Sequence, residues 1–105
     1  MSKSKLSKAV KEVDRYLDSL PYNQVINERA DRLYERIFHD IAGIALKYYE
    51  DLDVTANTEL SVTTDTTGGA VRVLVTGYIK VSEGLYLQIE KVYLPKEYKD
   101  ELETI

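Results

Sequence analysis

His39 is the only side chain in this sequence whose ordinary pKa suits proton transfer near neutral pH. Glu35 lies four residues before it and Asp40 beside it. On a helix, Glu35 and His39 would share a face and could chelate a divalent cation, with a symmetric partner chain supplying further ligands. Two such ligands among many surface charges are more simply read as a solvated, salt-bridged face. The chain has no cysteine, which removes thiolate nucleophiles, disulfides and any zinc site built on Cys. Serines are present, but no G-x-S-x-G elbow strains one into reactivity. Gly68-Gly69 is not followed by the Lys-Ser/Thr and helix of a phosphate loop, so it reads as a tight turn. Thr63, Thr64, Thr66 and Thr67 read as strand and turn chemistry. The expectation is a protein that is not an enzyme, with no catalytic residue, no metal and no cofactor.

Charge offers a different chemistry. The first eleven residues carry Lys3, Lys5, Lys8 and Lys11 and no acid, and the chain's −4 less this +4 leaves −8 on the remainder. A basic arm of this kind, continued by Arg15 one turn further on, can neutralise phosphates and release their counterions. Four to five phosphate contacts give a log-log salt slope of roughly −4 on duplex DNA. The simpler reading is a solvated, lysine-rich helix start. The body, with a sequence pI near 5.0, should repel nucleic acid.

The elements that must position these residues follow from periodicity. Leu6, Val10, Val13, Leu17 and Leu20 predict a helix over 5–20, with Ser4 or Ser7 as N-cap, ended by Pro21. Ile26, Ala30, Leu33, Ile37, Ile41, Ile44 and Tyr48 predict a second helix over 23–50, on the order of 40 Å long. Tyr34, Phe38, Ala45 and Tyr49 flank its stripe. Glu28/Arg32, Arg36/Asp40 and Lys47/Asp51 are spaced for ion pairs along it.

After Asp53 the period falls to two, predicting a strand over 54–63, a second over 70–81 and a third over 85–94. A hairpin closing at 67–68 sets Val62 opposite Val73 and Leu60 opposite Val75. One closing at Glu83, with Gly84 left-handed, sets Val81 opposite Leu85 and Ile79 opposite Leu87. All these residues then share one face. Lys91 breaks the pattern by falling inward opposite Val75, which implies either a bulge or a strand end that runs past the helices. Beyond Pro95, Tyr98, Leu102 and Ile105 predict a short terminal helix.

The expected fold is therefore α+β in two layers, order ααβββα, with an antiparallel helix pair packed on a three-stranded antiparallel meander. One domain over 5–105 carries residues 1–11 as a basic arm and first helix turns. Its core should hold Leu33, Ile37, Ile41, Ile44, Leu60, Val62, Val73, Val75, Ile79 and Leu87. No apolar run is long enough for a membrane span or a signal sequence, so a cytoplasmic protein without membrane contact is expected.

The helix–three strands–helix order from residue 23 onward resembles, in topology alone, double-stranded-RNA-binding domains and some small nucleoid-associated dimers. The RNA-binding family starts its last helix with lysines, whereas this chain reads Pro95-Lys96-Glu97-Tyr98-Lys99-Asp100-Glu101. No family residue is carried over.

Nine tyrosines beside one Phe and no Trp favour seams and partner surfaces, since Tyr joins apolar area to a polar tip. Tyr34, Tyr48 and Tyr49 read as core or seam. Tyr78 and Tyr86 fall on the open face of the sheet with Leu74 and Val92, beside Arg72 and Lys80. That set is a candidate protein-binding patch. Aromatics interleaved with bases also describe single-strand nucleic-acid platforms, but Glu59, Asp65 and Glu90 share the face. The first strand, with few charges and no proline, could accept another strand at its edge. The leading expectation is a protein partner, including a second copy in a homo-oligomer. The role would be that of a small assembly, adaptor or inhibitor component, common among viral and phage accessory proteins. Nucleic acid bound through Lys3, Lys5, Lys8, Lys11 and Arg15 is the alternative.

Overall fold

A computed structural model of the chain describes residues 2–95, and the expected helix over Tyr98–Ile105 lies outside them. The order is α1 (Ser2–Ser19), α2 (Tyr22–Asn27), α3 (Ala30–Tyr48), α4 (Val54–Asn57), β1 (Thr58–Thr67), β2 (Ala70–Ser82) and β3 (Leu85–Tyr93). The fold is α+β, with helices followed by one antiparallel sheet in the order β1-β2-β3.

The α1 stripe buries Ala9, Val13 and Leu17, and Pro21 ends the run as expected. Ser4 and Ser7 lie inside α1 and cap nothing at its start. The expected single helix over 23–50 is instead two. Glu28 and Arg29 are extended, with ψ of 144° and 142°, and separate α2 from α3. The bend lets α2 fold toward the sheet, where Val25 is buried and the Tyr22 hydroxyl donates to the Val71 carbonyl at 2.6 Å. The break follows Asn27, whose side chain competes for backbone hydrogen bonds and weakens a helix.

Val54 and Ala56, expected in a strand, form a helical turn because the Asp53 carboxylate accepts from the Ala56 N–H at 3.2 Å, an N-cap. β1 therefore starts at Thr58. The first hairpin closes on Gly68 and Gly69, with φ of 61° and 84°, the pair of positive angles that a type I′ turn demands. This corrects the expected pairing by two residues: Val62 faces Val75 and Leu60 faces Gly77. An even shift keeps every side chain on its expected face.

At the second turn Ile79 faces Leu87 as expected. Val81, however, is an extra residue in a bulge between Lys80 and Ser82, and Ser82 takes the place opposite Leu85. Gly84 has the left-handed φ of 78°. Lys91 does lie opposite Val75, yet the register is unbroken on both sides of it and helix α1 covers that end. The Lys91 ammonium pairs with Asp18 of α1, and the next inward residue, Tyr93, is buried with its hydroxyl donating to the Leu17 carbonyl at 2.7 Å. Neither expected explanation of Lys91 holds, because a charge on the helix supplies the partner.

The core unites Ala9, Val13 and Leu17 with Val25, Leu33, Ile37, Ile41 and Ala45, and with Val73, Val75, Ile79, Leu87, Ile89 and Tyr93 of the sheet. Ile44, Leu60 and Val62, expected in the core, are only partly buried against it. Helix α1 lies against β3 and α3, and α3 against β1. Lys5 meets Tyr49, Glu12 meets Lys47 and Tyr48, and Tyr16 meets Asp40, so the contacts run in opposite order along the two helices.

Candidate interaction surfaces

The joints of α1 with α3 and with β3 hold the titrating groups displaced furthest from their ordinary values. The Tyr16 hydroxyl donates to Asp40 Oδ2 at 2.6 Å, and burial first, then this bond, hold its pKa well above the usual tyrosine value. Burial does the same for Tyr93, reinforced by the Asp18 charge. Glu12 accepts from Tyr48 at 2.7 Å and from Lys47 at 3.0 Å, which lowers its pKa. Lys47, Tyr48, Tyr49 and Arg72 are all raised. Each of these shifts moves a group further from neutrality. The carboxylate is held ionised, the phenols neutral and the bases charged, so none of the shifted groups is poised to exchange protons near pH 7. The expected intrahelical pairs are not the ones formed: Glu28 meets Arg36 across the α2–α3 bend, and Lys47 bonds to Glu12.

His39 is exposed, with Nδ1 3.3 Å from Asp40 Oδ1. No group of three or more potential ligands gathers around a metal position among the described residues. A cleft of about 720 Å³ lies between the start of α1, the loop after α3 and the β2–β3 turn. Lys5, Tyr49, Asp51, Asp53, Lys80 and Glu83 are among the residues lining it. Its charges are largely engaged: Lys80 pairs with Glu83 at 3.2 Å, Asp53 caps α4, and the Lys5 ammonium lies 5.0 Å from the Tyr49 ring centre.

The outer face of the sheet carries the predicted patch. Tyr78 and Tyr86 are 37% and 41% exposed and meet edge to face with ring centres 5.2 Å apart. Val92, 40% exposed, faces Leu74 across β2 and β3, and Leu74 is half-buried. The row Ser61–Thr76–Glu90 runs between the two apolar pairs. The face is thus two small apolar contacts separated by a polar row. Arg72 is taken by Asp65, at 2.7 Å from Nη2.

The basic residues lie on α1 itself, in a helix that starts at Ser2. Lys8, Lys11 and Arg15, at i, i+3 and i+7, are exposed and join no ion pair among the described residues. Lys5 covers Tyr49, and the side chain of Lys3 lies outside the description.

Tyr34, expected in core or seam, is 37% exposed and stacks on half-buried Phe38 with ring centres 6.0 Å apart. This surface was legible only as a widened stripe, since an excess of apolar flank does not reveal whether an element of the same chain covers it. No helix of the described residues is long and apolar enough to cross a membrane. Comparison with protein-family models, curated proteins and solved structures finds no match to this chain.

Proposed function

We propose that this protein is a non-catalytic protein-interaction module that self-associates and offers the outer face of its sheet to a protein partner. The observation that carries the reading is the exposed Tyr78–Tyr86 pair, with Val92 and Leu74 beyond it, on a face that no described element covers. Aromatic side chains of this kind supply large contact area at low entropic cost and are enriched in interface cores. The reading takes α1 and α3 as an antiparallel pair layered on the opposite face, supported by the reversed order of their contacts. Light scattering on the full chain at high micromolar concentration tests self-association, and a mass above one chain is expected. A strict monomer removes it. Repeating the measurement on Tyr78→Glu/Tyr86→Glu separates the surfaces: loss of mass puts the self-contact on the sheet face, and retention leaves that face to another protein.

The exposed row Lys8, Lys11 and Arg15 supports a second reading, nucleic-acid binding along α1. Three phosphate contacts give a log-log salt slope of about −3 on duplex DNA. Binding that ignores salt, or that survives replacement of all three by Gln, would sink this reading.

A further inference from the structure

We propose that two copies of this chain join edge to edge through β1, with the two-fold axis at Ser61, giving one six-stranded sheet with the two α3 helices packed over the seam. The inference rests on the self-association reading above and names the surface that carries it.

The two edges of the sheet are unlike. β3 carries Lys91 on its inner row, bonded to Asp18, and lies beside α1. An inward charge of this kind protects an edge against pairing, because a second sheet would have to bury it. The inner row of β1 is Thr58, Leu60, Val62, Thr64 and Thr66, without charge and without proline. The type I′ turn makes Thr67 and Ala70 a hydrogen-bonded pair. Alternation from there leaves the N–H and C=O groups of Leu60, Val62 and Thr64 directed at the free edge.

Apolar surface continues from that edge onto the helix above it. At about 100° per residue, Leu33, Ile37, Ile41 and Ala45 form the buried face of α3, while Arg36, Asp40 and Lys47 turn toward α1. Tyr34, Phe38 and Ala42 occupy the opposite flank. Because α3 lies against β1 and α1 against β3, this flank overhangs the free edge of β1. Leu60 and Val62 below it and Phe38 within it are only half-buried, and Tyr34 is exposed. Among the described residues, one backbone edge and one apolar helix flank are therefore left incomplete side by side. A second copy presents the same pair.

The sequence of β1 selects the register. Centred on Ser61, antiparallel pairing sets Leu60 opposite Val62 of the second copy, twice over, and Glu59 opposite Thr63. Centred on Val62, the same pairing sets Glu59 against Asp65, acid against acid. Centred on Thr63, both apolar residues face threonines. Only the Ser61 register sets both Leu60 and Val62 against apolar residues, and it also keeps the acids apart. The two-fold axis is perpendicular to the sheet, so Tyr78 and Tyr86 of both copies remain on one outer surface.

The absence of native cysteine makes the register directly readable. Facing non-hydrogen-bonded residues have Cα atoms about 4.5 Å apart, within disulfide reach. Ser61→Cys should therefore form a covalent dimer under mild oxidation. Thr63→Cys should not, because its symmetry mate lies about 13 Å away along the strand, while a mixture of Glu59→Cys and Thr63→Cys chains should cross-link. Tyr34→Glu, at an exposed position, should raise the dimer dissociation constant at least tenfold, and Val62→Lys should abolish the dimer. Tyr78→Glu/Tyr86→Glu should leave it intact. If Val62→Lys unfolds by circular dichroism, Tyr34→Glu and the cross-linking pattern decide. A dimer that links equally through residues 61 and 63, or that ignores Tyr34→Glu, overturns the inference while leaving self-association standing. A strict monomer overturns both.

Discussion

At the scale of single residues, the ionisable side chains of this protein serve the joints between elements. Tyr93 is buried, and its hydroxyl bonds to a main-chain carbonyl of α1 at 2.7 Å. Tyr93→Phe keeps the ring and removes that bond, and the expected loss is about 1 kcal/mol of folding stability by denaturant titration. The pKa values of Tyr16 and Tyr93 are raised in the folded chain. Their contribution is therefore fully present below the ordinary tyrosine value of 10.0 and is lost as pH rises beyond it toward their folded values. Melting temperature should fall above pH 10, less steeply in Tyr93→Phe. Glu12 has the opposite sign: its lowered pKa contributes stability above its ordinary 4.5, lost as pH falls through the folded value. Glu12→Gln should flatten the acid side of the melting profile.

At the scale of elements, the sheet depends on one close approach. Gly77 sits opposite Leu60 with φ of 152°, and a Cβ there would lie 2.0 Å from the Glu59 carbonyl oxygen. The obstacle is main chain of the neighbouring strand, so no rotamer change relieves it. Gly77→Ala should separate β1 from β2 at this point and lower the melting temperature well beyond the few tenths of a kcal/mol usual for surface changes. Gly69→Ala, where the added carbon meets nothing within 4 Å, should cost only the strain of its φ of 84°. The contrast between the two variants in thermal melts isolates steric from conformational cost.

For the whole molecule, stability rests on a core built from α1, α2, α3, β2 and β3, with Leu60 and Val62 of β1 packed partly buried against it. Ile37 is completely buried at its centre, and Ile37→Ala should cost about 2–4 kcal/mol, a large share of the 5–15 typical of a domain. Unchanged melting would place the core elsewhere. The outer surface of the sheet contributes little to this core, and Tyr78→Glu/Tyr86→Glu should leave the melting temperature within a few degrees of the parent. Binding lost in that variant would then report on contact and not on folding.

The sequence by itself determined the class of fold and the face of nearly every strand residue. Burial on one side of a sheet imposes a period of two, and that period survives the two-residue error in the first hairpin. It also determined the ends set by covalent chemistry, Pro21 and the glycines at 68, 69 and 84. The tertiary structure alone decided where charge and geometry act across distance. The α2–α3 break brings Val25 and Tyr22 to the sheet, and no proline or glycine announces it. Lys91 tolerates its inward position because Asp18, 73 residues away in sequence, meets it. Of the cations that spacing paired along one helix, Lys47 instead meets Glu12 of α1 and Arg36 meets Glu28 in the break before α3, since a carboxylate chooses the nearest cation in space. Tyr34 reads identically to a core residue in one dimension. Only the placement of α3 over the sheet's edge shows that the chain has nothing among its described residues to cover it.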